Sequence, residues 1–150
     1  MEDQSITLKT INDLRLNEAG DSMRYFIAAY QRGYRWNPLQ VVQLLEDVRD
    51  FTKRRNPQPV QFYCLQPIVV KAVDDGSFEV VDGQQRLTTL LLILRYFNEL
   101  LVEKRRLKLF TLAYETRPSL EDFLAEPTSE KGKSNIDFAH LYDAMQAIEK

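Results

Sequence analysis

Apolar residues recur at helical spacing in three stretches of this chain and gather into short β-rich runs in four others. After Trp36, the positions Val41, Leu44, Leu45, Val48 and Phe51 fall on one helical face. Asn37 stands as N-cap, Pro38 as first helical residue and Gln40 three residues on, a capping-box start. The Pro-containing segment 54–59 ends that helix. From Leu87 to Leu101 the apolar residues surround the axis, which predicts a central, buried helix. A last amphipathic helix from about Ile136 carries Phe138, Leu141, Tyr142, Met145 and Ile148 on one side. The runs Tyr25–Tyr30, Gln66–Val73, Phe78–Val81 and Leu109–Tyr114 read as strands, with the turn sequence 74–77 joining the second and third into a hairpin. Leu8–Leu16 reads as a short helix or turn, Ser119 to Asp122 as the start of a short helix, and 126–135 as a polar loop. Strands come early and helices dominate late, which predicts an α+β fold. One domain over 1–150 is expected, with a mixed α/β core to about 108 and a mainly helical extension from 109.

Composition narrows the chemistry. The formal net charge of −2 excludes a basic field over the whole domain, so nucleic-acid contact would have to be local. One Cys, Cys64, excludes an internal disulfide, and its apolar surroundings Phe62–Leu65 make it a small buried hydrophobe. With one His, His140, neither a Cys/His zinc site nor a Ser/His/Asp arrangement can be built. The polar start lacks the apolar core of a signal peptide, and Leu87–Leu101 is too short and too interrupted to span a bilayer, so a cytoplasmic protein is expected. The chain stops inside its last amphipathic pattern without a Gly or Asn stop signal, as an N-terminal piece of a longer protein would.

The sequence DGQQRLTT at 82–89 lies where a strand passes into the buried helix. Gly83 allows a sharp bend and a close backbone approach. The first helical N–H groups lack intrahelical partners, and the helix dipole there favours an anion. Arg86 adds a forked cation suited to phosphate oxygens, and Gln84, Gln85, Thr88 and Thr89 add uncharged donors. Asp82 is able to orient Arg86, hold a metal or cap the helix. A purely structural turn uses the same residue types, since Asp-Gly is a common turn and Asp a common cap. No P-loop and no GxGxxG is present.

A second constellation, YQRGYRW at 30–36, interleaves Tyr30, Tyr34 and Trp36 with Arg32 and Arg35. Rings stack on bases and guanidinium groups pair with phosphates; alternatively, the rings anchor the loop on the core and the arginines stay solvated. A base pocket and a phosphate turn are the two halves of a nucleotide site. Asp47, on the helix that follows, is a second candidate metal ligand. The clusters Lys53 to Arg55 and Lys104 to Lys108 follow helix ends, where cations suit the dipole.

Together these elements resemble the N-terminal, GmrS-type domain of the GmrSD type IV restriction endonucleases. The residues that carry the likeness are Tyr30-Gln31-Arg32 with Tyr34 and Trp36, then Leu44, Leu45 and Asp47, then Val81 through Thr89. Tyr114 with Arg117, and Ile136, Asp137, His140 and Tyr142, continue it, so it covers most of the chain. The resemblance implies a ParB/sulfiredoxin-like fold, a small mixed sheet with helices around it. It implies a domain that binds and hydrolyses a nucleoside triphosphate of unspecified base, with Mg²⁺, to regulate a nuclease acting on modified phage DNA. Asp82, Gly83, Gln84, Gln85 and Arg86 would form the phosphate motif, with Tyr30, Gln31, Arg32, Arg35, Thr88 and Thr89 around the nucleotide and Asp82 or Asp47 at the metal. Gln84 or Gln85 would orient the attacking water. Expected partners are DNA and a C-terminal HNH nuclease domain or subunit, with homo-oligomerisation also expected and no membrane. Two other functions fit the residues: a DNA-sensing module without hydrolysis, and a scaffold that restrains a nuclease. The family commonly has Pro before Tyr-Gln-Arg, where this chain has Ala29.

Overall fold

Alternation fixes one face of a small sheet. In β1 (Arg24–Ile27) Tyr25 and Ile27 are buried, and in β4 (Thr111–Tyr114) Leu112 and Tyr114 are buried while Thr111 and Ala113 are exposed. With β2 (Val69–Ala72) and β3 (Phe78–Asp82) these form a four-stranded sheet in the order β2-β3-β1-β4. The computed structural model describes residues 9–31, 33–52, 67–73, 75–115 and 136–149. β1 lies parallel to β3 and to β4, with Tyr25 opposite Phe78 and Leu112, and β2 pairs antiparallel with β3. The expected hairpin is therefore present. Its turn is held by Asp75, which accepts hydrogen bonds from the Ser77 N–H (2.9 Å) and hydroxyl (2.5 Å).

Three helices accompany the sheet among the described residues: α1 (Pro38–Thr52), α2 (Gln84–Leu100) and α3 (Ile136–Glu149). The capping box is formed in both directions: the Gln40 N–H donates to Asn37 Oδ1 and the Asn37 N–H to Gln40 Oε1, each at 3.0 Å. One core joins Tyr25, Ile27, Val80, Leu112 and Tyr114 of the sheet to Val41, Leu87, Leu91, Leu92, Leu141, Ala144 and Ile148 of the helices. β4 and α3 thus share a core with the elements before residue 108. The fold is α+β with a small mixed sheet and a helical C-terminal part.

One expectation needs correction. α2 is buried over Leu87–Leu92, but Phe97 and Leu100 are more than half exposed. It is central only in its first half. The stretch read as a short helix or turn contributes one 3-10 turn, Asn12–Leu14, in keeping with that reading. Cys64, Arg117, the start at Ser119 and the loop 126–135 lie outside the described residues. No described helix is long and apolar enough to cross a membrane.

Candidate functional site

Because β1, β3 and β4 are parallel, their carboxyl ends share one edge of the sheet. Chain leaving that edge enters the 28–37 loop from β1 and Gly83 from β3. In open sheets with parallel strands this edge is where ligands settle. The two constellations read from the sequence are therefore brought side by side.

Gly83 adopts φ +89°, a left-handed conformation that side-chain-bearing residues rarely take. A Cβ there would sit 3.1 Å from Ile68 Cγ1 and 3.3 Å from the Pro67 carbonyl oxygen. Gly83, not Asp82, occupies the N-cap position, and no side chain caps the helix. This corrects the capping role considered for Asp82. Asp82 ends β3, and its Oδ1 accepts the Gly83 N–H at 2.8 Å. A backbone bond into α2 runs from the Leu87 N–H to the Gly83 carbonyl (3.0 Å), and the amides of Gln84 and Gln85 stand ahead of the intrahelical ladder.

The glutamines lace the turn to the loop. Gln84 Nε2 donates to Gln31 Oε1 (3.2 Å), and Gln31 Nε2 donates to the Val81 carbonyl (3.0 Å). Gln85 makes two backbone bonds: its Oε1 accepts the Arg35 N–H at 2.7 Å and its Nε2 donates to the Gly33 carbonyl at 2.9 Å. The Arg86 guanidinium lies over the Trp36 ring, 5.8 Å from its centroid, in cation–π contact. Arg35 Nη1 donates to the Tyr34 carbonyl at 3.0 Å.

Thr88 and Thr89 were expected to offer donors at the turn; the structure places both in the core instead. Each gives its single hydroxyl proton to a carbonyl one helical turn back, Thr88 to Gln84 (2.7 Å) and Thr89 to Gln85 (2.8 Å). Tyr114 and Tyr34 must then be the donors in the hydroxyl pairs Tyr114–Thr88 (2.7 Å) and Tyr34–Thr89 (2.8 Å). Burial pushes the Tyr34 phenol up to about 12 and raises that of Tyr114 as well. These pairs pin the loop and β4 to successive positions on α2, and neither threonine is available to a ligand at the surface.

Tyr30 is exposed and donates its hydroxyl to Glu79 Oε1 at 2.7 Å, a bond that raises its pKa. Ala29, where the family commonly has Pro, uses its N–H to bond Glu115 Oε2 at 2.8 Å. Proline lacks that hydrogen, so this chain holds the start of the loop by a bond rather than by a ring. Asp82 and Asp47 are both exposed, Asp82 on the turn and Asp47 on α1. Among the described residues no three His, Cys, Asp or Glu side chains gather as a metal cage. Arg32 lies outside the described residues. The part played by Tyr114, and the fixing of Gly33 and Arg35 by Gln85, carried no signal in the sequence: they depend on which side of α2 faces the loop.

The family model described as "GmrSD restriction endonuclease, N-terminal domain" matches residues 11–148. Comparison with curated proteins and with solved structures found no match.

Proposed function

This chain belongs to the family of N-terminal domains of GmrSD restriction endonucleases, and on that premise we propose that its 82–86 turn binds and hydrolyses a nucleoside triphosphate to control the nuclease. One observation carries the reading. The uncapped α2 start, with Arg86 stacked on Trp36, stands at the carboxyl edge of the parallel strands, laced to the aromatic loop 30–36. Phosphate oxygens fit the amides of Gln84 and Gln85 at the helix start, where the helix dipole favours negative charge. Arg86 neutralises charge that develops during phosphoryl transfer. Gln84 spends one amide donor on Gln31, and its carbonyl oxygen is the acceptor proposed to orient an attacking water. Tyr30, Gln31, Arg32 and Arg35 would border the base and sugar.

Asp82 fits a divalent cation in one respect: it presents a carboxylate on the turn itself. Mg²⁺ is commonly held by one or two carboxylates together with substrate phosphates. Asp82, with Asp47 as second candidate, would hold it, and it would supply charge neutralisation at the phosphates.

The test is phosphate release by the purified chain with each of the four ribonucleoside triphosphates and Mg²⁺, beside Arg86→Ala. Release that the variant lacks supports the reading. Release unchanged in the variant overturns the site.

A second reading has its own observation. Lys104, Arg105, Arg106 and Lys108 are all exposed just before β4, at the opposite edge of the sheet. They suit a DNA backbone, and a steep fall of DNA affinity with salt, lost on replacing them, would support a DNA-sensing role.

A further inference from the structure

Gln85 differs from the other polar residues of the turn in what its amide does. Both ends of the amide engage the backbone of one short loop segment, the oxygen at Arg35 N–H and the nitrogen at Gly33 carbonyl. A side-chain amide that copies the pairing of a strand in this way ties the segment to the helix at two points two residues apart. Between those points stands Tyr34, fully buried and hydrogen-bonded to Thr89, one helical turn further along α2. Thr89 in turn bonds the Gln85 carbonyl. Loop segment 33–35 is therefore held by α2 through two side chains, four residues apart on one helical face. Trp36, the next residue and the only tryptophan of the chain, is thereby placed beneath Arg86.

We propose that Gln85 is a positioning residue: it holds Gly33–Arg35 against α2 and so sets Trp36 under the Arg86 guanidinium. The water-orienting role expected of either glutamine then falls to Gln84. The inference rests on the proposed nucleotide site only for its consequence, that Arg86 is aimed at phosphate by a residue that need not touch it. Its test needs no nucleotide, so it stands or falls separately from the binding reading.

Gln85→Met keeps length and bulk and removes both bonds. Gln85→Glu keeps the acceptor for Arg35 N–H and removes the donor to Gly33. Gln84→Met removes a bond to Gln31 only. In the nucleotide-free chain, hydrogen exchange reads the Arg35 amide directly, and acrylamide quenching reads Trp36. Two lost bonds, each worth about a two- to tenfold change in local opening, predict that Gln85→Met lowers Arg35 protection by about four- to a hundredfold and makes Trp36 more quenchable. Gln85→Glu should lie between it and the wild type, and Gln84→Met should leave Trp36 as it is. If Gln85→Met does not fold, the Glu variant decides: wild-type protection and quenching in a folded Gln85→Glu overturn the proposal, as they would in a folded Gln85→Met. Equal effects of Gln84→Met and Gln85→Met on Trp36 would also overturn it, since the loop would then respond to any damage at the turn.

Discussion

Removing the Thr89 hydroxyl should destabilise the protein more than removing its partner on Tyr34. Both groups are fully buried, 2.8 Å apart. The Thr89 proton goes to the Gln85 carbonyl at 2.8 Å, so the Tyr34 hydroxyl donates to Thr89. Tyr34→Phe removes a donor and leaves Thr89 bonded to the carbonyl, a loss of about 0.5–1.5 kcal/mol. Thr89→Val nearly preserves shape but leaves a phenolic O–H buried with no acceptor there, a loss of about 1–3 kcal/mol. The double variant orphans nothing and should cost less than the sum, with a coupling of about 1 kcal/mol. Urea unfolding, followed by Trp36 emission and by far-ultraviolet circular dichroism, measures all four corners of the cycle. For a chain of this size 1 kcal/mol corresponds to about 2–4 °C in Tm, so Thr89→Val should melt several degrees below Tyr34→Phe. A Tyr34→Phe variant less stable than Thr89→Val, or strictly additive losses, would refute the assigned direction of the bond.

Other outcomes follow from single features. Gly83→Ala forces a side chain into a left-handed backbone and within 3.1 Å of Ile68 Cγ1, so it should lose at least about 1–2 kcal/mol in the same urea assay. Asn37→Ala removes the cap of α1 and should lose about 1 kcal/mol. Burial raises the phenols of Tyr25 and Tyr34 to about 12 from an ordinary value of 10. The fold favours their neutral form, so this stability is complete below pH 10 and is lost as pH rises toward 12. Tyrosinate absorbance should show these two titrating well above pH 10 or together with unfolding; titration of all seven tyrosines near pH 10 in a folded chain would contradict the burial.

Legibility from sequence followed how local each feature is. The Asn37–Gln40 capping box needs only four consecutive residues, and it formed as read. The hairpin and the strand-to-helix turn at Gly83 are equally local. The capping role open to Asp82 in the sequence fails because strand β3 runs one residue further than expected and places Gly83 at the N-cap. Thr88 and Thr89 look like ligand donors in a linear motif. Only the packing of α2 against Tyr34 and Tyr114 shows that the tyrosines use them. The same holds for Gln85, whose partners lie about 50 residues earlier in the chain. Periodicity places α2 in the core but does not show which of its turns other elements cover, so the exposure of Phe97 and Leu100 is not readable from it.

Nucleotide binding at the turn is tested most directly by calorimetric titration of the purified chain with ATP, GTP, CTP and UTP, each with Mg²⁺, beside Arg86→Ala. Saturable binding of at least one nucleotide by the wild type, weakened at least about tenfold in a folded Arg86→Ala through loss of a charge-assisted contact, is the predicted result. A folded wild type that binds none of the four, or an Arg86→Ala variant that binds as tightly as the wild type, would contradict it.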